Sequence, residues 1–140
     1  MKMTKREFEA MATFAAPGSI TAEVLNDILA KFDEGGHEAA ESYIKDVLQY
    51  GCQAGTVSGL IYYNDTTAFF ERHKKEIKRL LTELMSDMGA KSPAELFGNK
   101  WDAEDYFADD VQNQNLLAWF GYEETLRKVA SEFEDFEEYI

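Results

Sequence analysis

Residues 66–88 read TTAFFERHKKEIKRLLTELMSDM, and Phe69, Phe70, His73, Ile77, Leu80, Leu81, Leu84 and Met88 recur in this stretch at steps of three and four. That is the period of an α-helix with one buried face, and 23 residues are far too long for a strand. Asn64-Asp65-Thr66 reads as a turn with Asp65 as the N-cap, and Gly89 marks the end. Lys74, Lys75, Lys78 and Arg79 fall together on another side of the same helix. This long amphipathic helix sets the expectation for the whole chain.

The segments on either side repeat the pattern. Toward the N-terminus, Gly51-Cys52-Gln53-Ala54-Gly55-Thr56-Val57-Ser58-Gly59 is rich in small residues, and reads either as an irregular loop or as a helix packed very closely on a neighbour. A helix over about 37–50 places Ala40, Tyr43, Ile44, Val47 and Leu48 inward, and another over about 21–34 does the same with Val24, Leu25, Ile28, Leu29 and Phe32. Gly35-Gly36 separates the two. Thr4-Lys5-Arg6-Glu7 has capping-box spacing, and Phe8, Met11 and Phe14 form the stripe of a first helix that Pro17-Gly18 ends. Toward the C-terminus, Ser92-Pro93-Ala94-Glu95 opens a short helical turn, and residues 100–105 read as an ordered loop or short helix. A last helix is expected from Asp109 or Asp110 through Leu116, Leu117, Trp119, Phe120, Leu126 and Val129. It should continue as an anionic rod with Phe133, Phe136 and Ile140 along one edge. No stretch alternates with period two, and no repeat or linker stands out. The expectation is all-α: one compact domain over residues 1–140 with five to six helices.

Composition bounds the function. The chain has 140 residues, 45% hydrophobic and 14% aromatic, enough to bury about two-thirds of the unfolded surface and too many large apolar groups for a disordered acidic tail. Its apolar runs are short and broken, so no membrane span is expected, and the basic start at residues 1–6 leads into Glu7 and Glu9 rather than a signal-peptide core. A single Cys excludes an internal disulfide framework and fits a reducing cytoplasm. The 14 basic and 27 acidic residues give a net charge of −13, which argues against direct contact with nucleic acid or anionic lipid. The excess is concentrated at the end: residues 101–140 hold 12 acidic and 2 basic residues, a net of −10. Such a surface either keeps the protein dissolved or meets a partner of opposite sign.

Familiar chemistries find little support. One Cys and two widely spaced His do not make a zinc site, and Asp102-Ala103-Glu104-Asp105 lacks the glycine and spacing of a calcium loop, so no metal or other cofactor is expected. Cys52 with His37 or His73 could form a nucleophile and its base, but a lone Cys among Gly and Ala reads more simply as a small packed side chain. Gly51, Gly55 and Gly59 are not followed by the Lys of a phosphate loop, and their spacing of four suits close helix packing. The Lys74, Lys75, Lys78 and Arg79 strip is expected to face the acidic C-terminal helix, or its copy in a homodimer.

Three stretches are similar to a known group. They are residues 51–63 (GCQAGTVSGLIYY), residues 65–70 (DTTAFF) and residues 113–124 (NQNLLAWFGYEE), joined by residues 96–102 (LFGNKWD). Together they resemble a family of small uncharacterised proteins from bacteriophages and other mobile elements, over roughly residues 40–130. The resemblance brings no catalytic residue. It implies an accessory protein acting inside an infected or conjugating bacterium, where small acidic phage proteins often inhibit host defence nucleases.

On a helix, carboxylates three or four apart stand about 5–6 Å from one another, and duplex DNA carries about one phosphate per 1.7 Å of its axis. A row of Glu and Asp can therefore imitate phosphates in a basic channel. The expected partner-binding residues are Trp101, Asp102, Glu104, Asp105, Asp109, Asp110, Glu132, Phe133, Glu134, Asp135, Phe136, Glu137 and Glu138, with Trp101, Phe133 and Phe136 as apolar anchors. The expected partner is a basic host nucleic-acid-binding protein, a CRISPR effector or restriction enzyme, inhibited in the bacterial cytoplasm without enzymatic activity, by acidic DNA mimicry or by steric block. The alternative is a self-associating assembly module using the edge of Phe133, Phe136 and Ile140, and after it a Cys52-dependent enzyme.

Overall fold

A computed structural model describes residues 2–51, 63–97 and 111–140. The fold is all-α: among these residues there are five α-helices, one 3-10 helix and no strand. Helix α1 spans Lys5–Phe14 and starts as its capping box predicts, with the Thr4 hydroxyl accepting from the Glu7 N–H at 3.2 Å. Phe8 is buried, but Phe14 is 89% exposed, which corrects its place on the inner stripe. Two steps of three residues fall short of two full turns, so Phe14 lies about 120° around the helix from Phe8.

Helix α2 spans Ile20–Tyr50, so the two expected helices form one element, bent where Gly35 (φ −150°, ψ 18°) and Gly36 (φ 73°, ψ −160°) leave helical geometry. Its N-cap is Ser19, whose Oγ accepts from the Ala22 N–H at 3.1 Å. Ser19→Ala removes that acceptor and should lower stability by about 1 kcal/mol in urea unfolding, with the helical circular dichroism otherwise kept. Every inward residue expected here is buried except Leu29, which is half-buried.

Helix α3 spans Tyr63–Met88 and thus begins ahead of the expected Asp65 cap. Phe69, Phe70, His73, Ile77, Leu80 and Leu81 are buried as the stripe predicts, Leu84 is half-buried, and Met88 is 68% exposed where the helix runs out beyond its packing. The backbone departs from helical geometry at His73 (φ −118°, ψ 16°), whose ring stands 4.7 Å from that of Phe69. Helix α4 spans Pro93–Phe97, and the Glu95 carboxylate reaches back to accept from the Lys91 N–H at 2.7 Å.

Helix α5 spans Val111–Ala130. The expected continuation as an α-helical rod is not what forms: after Ser131 and Glu132, Phe133 is extended and a 3-10 helix, η1, spans Glu134–Tyr139. Arg127 and Lys128 close α5, where cations suit the negative end of the helix dipole. A continued α-helix would instead carry five carboxylates toward that end. The new helix places Glu134, Asp135 and Glu137 at its own start, where the dipole favours them.

The chain forms two compact units, the first of residues 1–61 with 122–140 and the second of residues 62–121. The first unit, built from α1, α2, the end of α5 and η1, has a core that includes Phe8, Leu25, Ile28, Ile44, Tyr122, Leu126, Phe133 and Phe136. The second holds α3, α4 and the start of α5, with Phe69, Phe70, Ile77, Leu81 and Leu117 among its buried residues.

The acidic turn and a buried tyrosine chain as candidate sites

Period three explains the acidic turn. A 3-10 helix has three residues per turn, so Phe133, Phe136 and Tyr139 share one row, Glu134 and Glu137 a second, Asp135 and Glu138 a third. The first row faces the core. Phe133 and Phe136 are 1% and 0% exposed, which corrects their expected role as surface anchors. Phe133 stacks on Phe8 with ring centres 4.7 Å apart and meets Phe136 edge-on at 6.4 Å. Tyr139 completes the row beside Lys45, whose ammonium lies 5.6 Å from the ring centre.

Polar contacts hold the turn from its sides. Asp135 Oδ1 accepts from the backbone N–H of Met3 at 3.3 Å. The Met3 carbonyl in turn lies 3.1 Å from His37 Nε2; a carbonyl only accepts, so that nitrogen carries the hydrogen. His37 Nδ1 faces Glu41 at 3.5 Å, and Glu41 also binds Lys45 at 2.6 Å. The Lys45 pKa is raised by its hydrogen bond to Glu41, against the opposing effect of burial, and the charges of Glu41, Tyr139 and Glu138 add to the rise. Glu132, Glu134, Glu137 and Glu138 remain exposed, while Asp135 is half-buried. The turn is thus a fixed display of carboxylates on an aromatic base.

A second polar feature lies inside the first unit. Tyr122, 1% exposed, donates its hydroxyl to Asp27 Oδ2 at 2.7 Å and is hydrogen-bonded to the Tyr43 hydroxyl. Burial pushes the Asp27 carboxyl up from its ordinary range, and Glu23 adds to this, while the Tyr122 bond and Lys31 oppose it. Burial likewise holds the Tyr122 hydroxyl well above the usual phenol range. Helical spacing places Tyr43 on the inner stripe of α2 and does not single out Asp27. The available signal was position: Asp27 sits between Val24 and Ile28 on the inward face of α2, where a carboxyl needs a partner.

Other expected site residues are placed as follows. Trp101, Asp102, Glu104, Asp105, Asp109 and Asp110 lie outside the described residues, as do Cys52, Gly55 and Gly59. Lys74, Lys75, Lys78 and Arg79 are exposed on α3 in the second unit, Lys74 lying 5.7 Å from the Phe70 ring centre, and the acidic turn belongs to the first. His73 is buried, and His37 is tied to Met3 and Glu41. Among the described residues no three His, Cys, Asp or Glu are grouped to hold a metal ion, and no helix is long and apolar enough to cross a membrane.

One family model, that of a domain of unknown function (DUF7222), matches residues 19–135, from the N-cap of α2 to the second residue of η1. No curated protein and no solved structure matches the chain. With 117 of 140 residues inside the match, this chain belongs to the DUF7222 family.

Proposed function

We propose that the protein is a non-enzymatic accessory factor of a phage or mobile element. It acts inside a bacterial cell by docking an acidic face on a basic, nucleic-acid-handling host protein of the CRISPR-effector or restriction class. The observation that carries this reading is the acidic turn, where exposed Glu132, Glu134, Glu137 and Glu138 project from a segment fixed by buried Phe133 and Phe136. Charges carried on an anchored backbone bind with less loss of conformational entropy than the same charges on a loose tail.

Size limits what the turn can do alone. Six residues of 3-10 helix extend about 12 Å, which matches three or four phosphates of one DNA strand. A stable interface covers about 800 Å² on each partner, so the rest of the first unit must take part. That unit carries 16 acidic and 7 basic residues, a net of −9, and offers the required sign over a wider area. With Phe133 and Phe136 buried, association rests on charge, and the apolar edge invoked for self-assembly keeps only Ile140, 51% exposed.

The test is capture of the host partner by the parent protein and by a variant with Glu132, Glu134, Asp135, Glu137 and Glu138 changed to Gln or Asn. The variant should associate about tenfold more slowly at low salt, and the difference should shrink as salt rises. Bound parent should also exclude the partner's own DNA or RNA. Equal affinity of both proteins at low and high salt would mean that the acidic turn serves solubility only.

A further inference from the structure

We propose that Tyr122 is the pin of a latch that holds the two arms of α2 together across Gly35-Gly36, and that the charge on Asp27 sets how firmly the latch closes. The arms are residues 20–34 and 37–50, and the pair between them interrupts the helical backbone. Both glycines are exposed; a Gly35 Cβ would stand 2.8 Å from the Ala39 Cβ, but nothing lies within 4 Å of where a Gly36 Cβ would be. The bend is therefore not clamped by packing on Gly36, and side chains must set its angle.

The latch has three members. Asp27 stands on the first arm, Tyr43 on the second, and Tyr122 on α5 between them. A tyrosine hydroxyl has one hydrogen, and that of Tyr122 goes to Asp27. Its oxygen must then accept from Tyr43, so the bonds run in one direction toward the carboxyl. Lys31 on the first arm also lies 5.8 Å from the Tyr43 ring centre, and the Phe32 and His37 rings face each other across the glycines at 6.2 Å.

The charged and titratable groups facing Asp27 are Glu23 and Lys31 from its own arm and Tyr122 from α5, with Tyr43 one bond further. Lys31 is shared with Glu34 at 3.3 Å, so it compensates only in part. The Tyr122 bond favours the ionised carboxyl and burial favours the protonated one; burial is the larger effect, so the closed form is favoured while Asp27 is protonated. That contribution is present at low pH and is lost as pH rises through the raised pKa, because the ionised group gains from opening to water.

Spin labels on the full chain test this. Asn26→Cys and Ser42→Cys, both exposed and one on each arm, carry the labels in a Cys52→Ala background. One short distance should dominate at the acidic end of a pH series, and a longer one should grow as pH rises through the raised Asp27 pKa. Each hydrogen bond removed should multiply the open population about fivefold, so Tyr43→Phe opens part of the ensemble and Tyr122→Phe more of it throughout the series. Asp27→Asn keeps an acceptor without a charge and should stay closed at every pH. A Tyr122→Phe distribution equal to the parent's overturns the latch; should that variant not fold, Tyr43→Phe decides by the same comparison. A parent distribution that does not move with pH, or an Asp27→Asn distribution that still does, overturns the part given to the carboxyl.

Discussion

Phe136→Ala should destabilise the protein by about 3–5 kcal/mol, read as a lowered urea midpoint with little change in slope. The ring is wholly buried, stands edge-on to Phe133, and through it joins the stack on Phe8 and Phe32. Truncation removes the transfer energy of a whole ring and leaves a cavity that the short 3-10 turn, fixed also through Asp135 and Met3, cannot collapse to fill. A domain of this size is stable by about 5–15 kcal/mol, so the loss is about a fifth of the total or more. Phe14→Ala provides the contrast: the same chemical change at an 89% exposed position should shift the midpoint hardly at all. If Phe136→Ala were as mild as Phe14→Ala, the turn would not be anchored and its carboxylates would not be held in a fixed array.

That pair of phenylalanines also shows where the sequence was legible. Helical periodicity places Phe8, Val24, Ile28, Ile44, Ile77 and Leu81 inside without any knowledge of the fold, because each recurs at a spacing the helix imposes. Phe14 lies off the inner stripe because two steps of three residues fall short of two turns, and Met88 sits at a helix end, where period alone does not say whether a neighbour covers the side chain. The acidic tail was misread for a different reason. Phe133, Phe136 and Ile140 fit steps of three and four, but Phe133, Phe136 and Tyr139 fit steps of three, and only the second row is the one η1 turns inward. Over seven residues the two periods differ by a single position. The helix dipole favours the second, since a continued α-helix would carry five more carboxylates past Arg127 and Lys128. The Asp27, Tyr122 and Tyr43 chain was illegible as a unit, because 79 and 95 residues separate Tyr122 from its two partners. A lone carboxyl on an apolar face announces that a partner exists without naming it.

Gly51→Ala should cost about 2–3 kcal/mol or more, the second large effect expected. Gly51 ends α2 with φ 74° and ψ 174°, a region that only glycine occupies at ease, and its N–H donates to the Val47 carbonyl at 2.9 Å. A side chain there meets two separate penalties. The backbone must either bear the strain, about 1–3 kcal/mol, or abandon the turn that caps the helix. In addition, a Cβ would stand 2.5 Å from Glu123 Oε1 and 3.2 Å from its carboxyl carbon, so the half-buried Glu123 carboxylate has to move. The two parts can be measured apart. Gly36 has nearly the same backbone, φ 73° and ψ −160°, with open space where its Cβ would be, so Gly36→Ala reports the strain with no clash. Gly51→Ala should exceed it, and the excess should shrink in a Gly51→Ala, Glu123→Ala double variant, since truncating Glu123 removes the obstruction and leaves the strain. Equal costs at the two glycines, with no coupling to Glu123, would mean that the carboxylate moves aside freely and that only backbone geometry requires glycine at the end of α2.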